Sequence, residues 1–373
     1  MDLTTTAFGT WSAGRYMHFG EMLDEQRFLA LIRHAYDRGI RTFVTADVYG
    51  VGKADEMLGR ALQDVERDSY CLVGMVGHDI YDGVRAGSKG YPRFTDPGLR
   101  DHSGYREYLV RATRASLERC QADHFDLLML HNPDSTGYSS PAVWDAMQGL
   151  KDEGFAERIG IAPGPANGFV LDMIDCFERF GDRIDWAMII LNPQEPWPGR
   201  LVLPAAEKCG VQVLTRVVDY GGLFWDDLKP GHQLREGDHR AYRPQGWVEQ
   251  GHKKLEAMRP YAERHGLSMI QLACQWNLAH GPVASVVPTV VQEAHADARS
   301  AEDKVSELAS LPEDIRLTDG EVEEIYRIGD NEGCMPLKGA SARFEGEQPL
   351  PDQWSLRPEL LAVADRWSLG SEW

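Results

Sequence analysis

The stretch RTFVTADVYGVGKADEMLGRAL at residues 41–62 decides the fold of this chain. It joins a short apolar, β-branched run through a glycine-containing turn to an amphipathic segment, the pattern of one strand followed by one helix. Further apolar runs that indicate strands lie at residues 5–10, 70–76, 125–130, 157–162, 185–190, 211–216 and 284–288. Eight strand–helix repeats within 373 residues predict an α/β fold, a (β/α)8 TIM barrel.

The segments between these strands have helical spacing. In the segment that starts at Asp24, Phe28, Ile32 and Ala35 recur at intervals of three or four residues, and Gly39 follows as a C-terminal stop. The segments YREYLVRATRASLERC and SPAVWDAMQGLKDEG repeat this scheme. A doubly wound sheet would usually carry a GxGxxG turn after its first strand, and this chain has none, which favours the barrel.

Two segments fall outside the simple alternation. Residues 217–248 are polar, rich in glycine and aromatic, and they follow the seventh strand, so we expect them to lie over the active face of the barrel. We assign residues 1–330 to the barrel and residues 331–373 to a C-terminal extension that packs on or over it. The extension carries Trp354, Trp367 and Trp373; a covering role and simple docking on the outside of the barrel both remain open.

Composition limits the classes of partner. The chain has 39 Lys and Arg against 58 Asp and Glu, a net charge of −19, which repels nucleic-acid phosphates and anionic membranes. We therefore expect a small-molecule substrate, no nucleic-acid or membrane partner, and a possible homo-oligomer. The six cysteines form no CxxC pair and no export segment is recognisable, so we expect reduced thiols and a cytoplasmic protein.

Residues 41–62 resemble the aldo-keto reductase segment FDTAxxYGxGxSExxLGxAL. FDLLMLHNPD at 125–134, LTRVVDYGGLF at 214–224 and SMIQLACQWNLAHGPVASVVP at 268–288 are similar to further motifs of that family. The resemblance covers roughly residues 3–329. It implies a (β/α)8 barrel of aldo-keto reductase type that reduces carbonyl compounds with NADPH.

The catalytic tetrad of the family is only half present. The resemblance places Tyr49 at the position of the acid tyrosine and His131 at the histidine that orients the carbonyl. The position of the aspartate is Val44, and the position of the lysine is Met75. Hydride transfer supported by the full tetrad is therefore not expected.

The missing lysine matters because an unperturbed tyrosine has a pKa near 10 and needs a nearby cation to exchange protons readily at neutral pH. His78, three residues after Met75, and His18 in the first loop are candidates for that cation. We place Asp47 with Tyr49, His131 and His78 among the candidate catalytic residues, although an Asx residue in such a turn often only caps the next helix.

The positions that would bind the cofactor also depart from the family. Ala162 and Pro163 stand where a Ser-Asn pair usually holds the nicotinamide amide, and Met188 stands at a glutamine position. Asp219 lies in the loop that would receive the pyrophosphate, which it would repel.

We therefore expect no cofactor. NADP is the alternative, with Arg216, Asp219 and Arg299 as contacts. For Arg299 and Lys304, an exposed position on a helix is the other interpretation.

Candidate substrate-binding residues lie in loops after the strands. Trp11, Trp197 and Trp225 would project onto the active face, where indole rings stack on sugars or aromatic ligands. The others are His18, Asn132 and Asn192; Asp134 is either a substrate contact or a helix cap. A metal site built from His78, Asp79, His131 and Asp134 lacks any recognised ligand spacing, so we expect none.

Three functions remain open. The preferred one is a lyase, dehydratase or isomerase that uses Tyr49 and His131 for acid–base chemistry on a carbonyl-bearing or sugar-like small molecule. The second is an NADPH-dependent aldehyde or ketone reductase with a divergent site. The third is a binding or regulatory barrel without catalysis.

Overall fold

Eight parallel strands follow one another around one sheet in chain order. This is a computed structural model, and it describes residues 1–16, 18–86, 90–164, 169–243, 246–331 and 358–369. The strands are β1 Ala7–Gly9, β2 Thr42–Val44, β3 Cys71–Val76, β4 Leu127–His131, β5 Ile159–Ala162, β6 Trp186–Ile190, β7 Gln212–Arg216 and β8 Val283–Val287. All eight predicted strands are confirmed, as is the (β/α)8 barrel.

Residues just before β1 close the barrel against β8. Thr6 pairs with Val286 in a parallel bridge, and the Val286 N–H donates to the carbonyl of Thr5 at 2.9 Å. Because all strands run the same way, their carboxyl ends meet at one rim, and every loop that follows a strand lies there.

The helices surround the barrel. They are α1 Glu25–Asp37, α2 Lys53–Leu62, α3 Tyr105–Cys120, α4 Ser135–Ser139, α5 Pro141–Asp152, α6 Val170–Phe180, α7 Leu203–Cys209, α8 Trp247–Arg264, α9 Met269–Leu278, α10 Ala301–Ala309, α11 Asp319–Gly329 and α12 Pro358–Arg366. Helix α1 shows how the sequence sets such an element: the Asp24 side chain caps its N-terminus, and Phe28, Ile32 and Ala35 are buried against the sheet.

Apolar side chains fill two layers. One layer lies inside the barrel and includes Val44, Met75 and Met188, while the other lies between the strands and the helices. The first layer forms the floor of the candidate site, because Val44, Met75 and Met188 also reach the cavity at the rim.

The described part of the C-terminal extension packs on the outside of the barrel. Arg366 on α12 binds Glu178 of α6 at 2.5 Å, and the Trp367 indole donates to the same carboxylate at 3.0 Å. Trp354 and Trp373 lie outside the described residues. Within the described part of the chain, no helix combines the length and the apolarity that crossing a membrane would require.

Candidate active site

A cavity of about 150 Å³ opens at the rim formed by the carboxyl ends of the strands. Its apolar lining comes from the barrel interior, and its polar lining comes from loops. The lining residues are Gly9, Trp11, Ser12, Phe19, Val44, Tyr49, Met75, Met188, Ile190, Glu195, Arg216, Val217, Asp219, Gly221, His239, Arg240, Arg243, Val287, Pro288 and Thr289. The polar segment after β7 contributes to this lining, as its position in the sequence predicts.

Tyr49 stands in the loop after β2 and forms one wall of the cavity. Its ring meets the edge of Trp11, with ring centres 5.0 Å apart, and the edge of His131 at 5.7 Å. Burial raises the pKa of Tyr49 above its ordinary value of 10, and the positive charge of Arg216 opposes this shift only in part. The phenol therefore keeps its proton at neutral pH and donates a hydrogen bond.

His131 ends β4 and is buried beside Tyr49. Its Nδ1 has no hydrogen-bond partner among the described residues. Burial, together with the nearby His78, Arg216 and Arg93, holds the pKa of His131 well below its usual value of 6.5. The imidazole is therefore neutral at physiological pH; it does not itself line the cavity, and it meets the lining through the ring of Tyr49.

The structure corrects the expectation that His78 supplies a cation for Tyr49. Burial, with the adjacent Arg93 guanidinium, lowers the pKa of His78 to about 3, so the ring is neutral. Arg93 lies 3.2 Å from Nδ1 and the side-chain amide of Asn132 lies 2.9 Å from Nε2. Because the guanidinium only donates, Nδ1 accepts from it, and Asn132 presents its Nδ2 to Nε2. Asn132 thus orients His78, which packs on His131, and neither His78 nor Asn132 lines the cavity.

Arg216, at the end of β7, is the cation that acts on Tyr49 and His131. Its Nη2 donates to the carbonyls of Pro163 at 3.0 Å and Gly164 at 2.7 Å, just after β5. Its Nε is buried without a partner. Sequence reasoning named Arg216 only as a cofactor contact; in the structure it lines the same cavity as Tyr49, and its charge acts on the pKa of Tyr49 and His131.

Asp219 lines the cavity in the loop after β7, and its carboxylate is held by main-chain donors. Oδ2 accepts the N–H of Gly222 at 2.8 Å, and Oδ1 accepts the N–H of Thr289 at 2.7 Å. Burial raises the pKa of this carboxyl, while the two main-chain donors and Arg243 oppose the shift. The backbone donors at this point of the rim are thus already used by the chain.

Glu195 is one of the polar lining residues that sequence reasoning missed. It follows β6, is buried and belongs to the lining of the cavity, and its carboxylate oxygen Oε1 is a buried atom with no hydrogen-bond partner among the described residues. Asn192 holds the other oxygen at 3.0 Å, and Arg243 lies 3.6 Å from Oε1. Burial raises the pKa of Glu195 above its ordinary 4.5. The sequence feature that could have identified Glu195 is an acidic residue between Pro193 and Pro196, just after the carboxyl end of a strand.

Asn192 does not reach the cavity, contrary to its assignment as a substrate contact. Its amide is fully buried, and its oxygen accepts the N–H groups of Gln194 and Glu195 at 2.9 Å each. Its nitrogen donates to Glu195 and to the carbonyl of Val217. Asn192 therefore positions Glu195 by joining the loops after β6 and β7.

Asp47 points away from the cavity. It is fully buried, and neither carboxylate oxygen forms a regular hydrogen bond with the described residues. Burial and the nearby Asp55 carboxylate raise its pKa well above 3.8. This correction removes Asp47 from the catalytic candidates, and Asp134 proves to be a helix cap because it accepts the N–H of Gly137 at the start of α4.

Of the three predicted tryptophans, only Trp11 lines the cavity. Trp225 is buried in the core, where its indole donates to the carbonyl of Thr289 at 2.8 Å. Trp197 is also buried, and its main chain pairs with the side chain of Asn331. Neither Trp197 nor Trp225 lines the cavity, contrary to their assignment as substrate contacts.

His18 and the two basic residues after β8 also lie away from the cavity. His18 is exposed and stacks on His239, with ring centres 5.7 Å apart. Arg299 binds Glu307 on α10 at 2.5 Å. Lys304 is fully buried and binds Asp227 at 2.7 Å, so the interpretation of Lys304 as an exposed helix charge is wrong.

The two carboxylates considered for a metal site have other partners. Asp79 binds Arg100 at 2.5 Å, and Asp134 caps α4. Among the described residues, the groups with suitable ligand spacing are His232, His295 and Asp297, and His124, Asp126 and Glu157. Neither group lines the cavity.

These observations define the class of protein: a (β/α)8 barrel whose rim holds a neutral tyrosine–histidine pair suited to polarising a carbonyl, beside a buried carboxylate and a buried guanidinium. A model of the aldo/keto reductase family matches residues 6–305, and the chain belongs to that family.

Relatives and solved structures agree with this placement. The chain is 25% identical to a probable voltage-gated potassium channel subunit beta of Arabidopsis thaliana, over 79% of this chain and 85% of that protein. It is 25% identical to the aldo-keto reductase YhdN of Bacillus subtilis, over 74% and 78%. The glycerol dehydrogenase AKR11B4 of Gluconobacter oxydans superposes with a TM-score of 0.69 at 23% identity, covering 88% of this chain and 92% of that one. This last likeness concerns the fold alone.

Proposed function

We propose that this protein catalyses proton transfer at a carbon atom next to a carbonyl group, as an isomerase, lyase or dehydratase does, without hydride transfer. One observation carries the proposal: the buried carboxylate of Glu195, one oxygen of which accepts no hydrogen bond from the described residues, belongs to the lining of the cavity that Tyr49 and Arg216 also line. A buried carboxylate of raised pKa is a suitable general base.

In the proposed reaction, Glu195 takes a proton from the carbon beside the carbonyl. The electrons of that C–H bond form the C=C bond of an enolate, and negative charge develops on the carbonyl oxygen. The Tyr49 hydroxyl donates a hydrogen bond to this oxygen, the neutral imidazole of His131 assists, and Arg216 stabilises the charge. When the carbon beside the carbonyl carries a hydroxyl group, the proton of that hydroxyl passes to the enolate oxygen, and return of the abstracted proton to the former carbonyl carbon isomerises the substrate. When the next carbon carries a leaving group, the electrons of the enolate expel it and elimination results.

We further propose that the chain does not bind a nicotinamide dinucleotide, because the residues at the corresponding positions do not fit one. The Asp219 carboxylate accepts two main-chain N–H groups where the family resemblance would place the pyrophosphate. Arg216 donates hydrogen bonds to the carbonyls of Pro163 and Gly164. Pro163 is one of the two positions that the resemblance assigns to the nicotinamide amide. A dinucleotide would have to displace both sets of contacts.

Hydrogen–deuterium exchange tests the proposal. The purified chain is incubated in D2O, without nicotinamide, with hydroxyacetone and with oxo acids of three to five carbons, and loss of the proton signal beside the carbonyl is followed by NMR. We expect exchange above the buffer rate, falling about 10²–10⁴-fold in Glu195→Gln, the range for general acid–base catalysis. Glu313→Gln, at an exposed position, is the matched control. Equal exchange by Glu195→Gln and the unaltered chain would sink the proposal.

The alternative is an NADPH-dependent reductase, favoured by the Tyr49–His131 pair and by relatives that are named reductases. Calorimetric titration with NADPH and NADP+ separates the two proposals: micromolar binding supports a reductase, and no binding up to millimolar concentration opposes it. A latent reductase should also gain rate when Val44→Asp and Met75→Lys are combined. The channel subunit among the relatives keeps a regulatory barrel as a third candidate, which predicts a stable complex with another protein and no exchange.

A further inference from the structure

Arg216 differs from the other two arginines that line the cavity in having no acidic partner. Arg240 binds Asp238 at 2.8 Å and Glu293 at 2.6 Å, and Arg243 lies 3.6 Å from Glu195. The guanidinium of Arg216 meets only the carbonyl oxygens of Pro163 and Gly164, and among the described residues no carboxylate comes within 4.0 Å of it. Its buried Nε also has no partner among them.

An arginine keeps its charge under all ordinary conditions, so its burial without a counter-ion is costly. Burial lowers the pKa of Arg216, because it disfavours the charged guanidinium. Val44 and Met188, on the apolar floor of the same cavity, offer the guanidinium no compensation. The two carbonyl dipoles compensate the charge only in part. The positive charge of Arg216 therefore favours binding of an anion in this cavity.

We propose that Arg216 binds the carboxylate of a small oxo acid, whose carbonyl group then lies against Tyr49. This names the substrate class for the proposed proton transfer and so rests on that function, although the binding itself can be measured without turnover. The cavity volume of about 150 Å³ equals that of an engineered protein cavity that holds one benzene molecule, so a ligand of about six non-hydrogen atoms fits.

The charges of the cavity favour a carboxylate over a phosphate. Glu195 and Asp219 line the same space as Arg216, so a dianion would face two acidic groups. A single negative charge satisfies Arg216 with less repulsion. An oxo acid also sets its carbonyl beside the charged group, which accounts for Arg216 and Tyr49 sharing one cavity.

Calorimetry with a charged ligand and a neutral isostere tests the assignment. Pyruvate and pyruvamide are titrated into the full chain, with oxo acids of four and five carbons and inorganic phosphate as further ligands. We expect at least one oxo acid to bind tenfold or more tightly than its amide, and more tightly than phosphate. Arg216→Gln should abolish this preference and Arg216→Lys should retain part of it. Arg200→Gln, at a residue that binds Glu323 on the outer helices, should leave the preference intact.

Three results would overturn the inference: no binding of any oxo acid up to 20 mM, equal binding of acid and amide, or a preference that survives in Arg216→Gln. Tighter binding of phosphate would overturn the carboxylate assignment. Thermal unfolding of each variant shows whether it is folded. If Arg216→Gln does not fold, the preference for the acid over the amide is compared between Arg216→Lys and the unaltered chain. Glu195→Gln separates the two proposals, because it should lose exchange and keep the preference. A preference without exchange in the unaltered chain leaves this inference standing while the proposed function fails.

Discussion

The two sides of the cavity rim satisfy their polar groups in different ways. On the β2–β4 side, Tyr49 and His131 are both neutral and meet each other through ring edges. On the β5–β8 side, Arg216 and Asp219 are ionisable groups that use the main-chain acceptors and donors around them. Under the proposed function, the first side acts on a carbonyl group, while the contacts of the second side lie where the family resemblance would place a dinucleotide.

The largest expected effect on proton exchange comes from a substitution on the β2–β4 side. Tyr49→Phe removes the hydroxyl that donates to the developing oxyanion and keeps the ring that packs on Trp11 and His131. We expect proton exchange to fall about 10²–10³-fold, the cost of losing one oxyanion donor, with little change in thermal stability. Tyr36→Phe, which loses a hydroxyl contact with Ser69 outside the barrel, is the control. Exchange unchanged in Tyr49→Phe would show that this side does not act on the carbonyl.

A second variant removes side-chain contacts on the β5–β8 side. Asp219→Ala frees the N–H of Thr289, leaves the N–H of Gly222 with only the main-chain carbonyl of residue 219 at 3.1 Å, and removes a carboxylate from the cavity. Unpaired backbone donors in a loop are a ready site for a phosphate group. We expect the affinity for NADPH, measured by calorimetry, to rise roughly 10- to 100-fold above that of the unaltered chain.

Asp226→Ala is the matched control, because Asp226 lies in the same segment but binds Lys229 and Arg259. It should leave the affinity unchanged. Micromolar NADPH binding by the unaltered chain, or no gain in Asp219→Ala, would mean that the Asp219 contacts do not decide cofactor binding.

The same contrast explains what could be predicted from the sequence. Buried parallel strands are short continuous apolar runs, so all eight were found within a few residues, and Tyr49 and His131 were placed by motifs. Glu195 and Arg243 were missed because their approach depends on two loops that meet only in the folded chain. Trp225 was misplaced because the sequence shows an indole after a strand but not the Thr289 carbonyl that holds it in the core.

A third variant tests whether burial of Asp47, on the β2–β4 side, lowers the free energy of unfolding. The raised pKa of Asp47 means that the folded state favours its protonated form. This contribution to stability is fully present below the ordinary pKa of 3.8 and is lost as pH rises through the raised value. Asp47→Asn cannot ionise, so we expect it to be more stable than the unaltered chain by about 1–3 kcal/mol at pH 8, and equal to it near pH 3.5.

Denaturant unfolding across this pH range checks the effect, with Asp314→Asn, at an exposed position, as the control. Activity should not change, because Asp47 does not line the cavity. A loss of exchange at constant stability would return Asp47 to the catalytic residues.

The smallest expected effect compares two valines, one on each side, whose backbone lies in the left-handed region. Val51 follows β2 with φ of 55°, and Val217 follows β7 with φ of 59°. A β-branched residue is strained there and glycine is not, so Val51→Gly and Val217→Gly should each gain about 1 kcal/mol of stability. Their effects on activity should differ, because the Val217 carbonyl accepts from Asn192, the residue that holds Glu195.

We therefore expect Val217→Gly to loosen the position of Glu195 and to lower proton exchange severalfold while its unfolding temperature rises. Val51 is half exposed and does not line the cavity, so Val51→Gly should gain stability with unchanged exchange. Unfolding temperatures and exchange rates of the two variants, measured together, make the comparison. If both variants kept full exchange, the strain at Val217 would be unrelated to the base. If Val217→Gly lost stability, the packing of the Val217 side chain would contribute more to stability than its backbone strain costs.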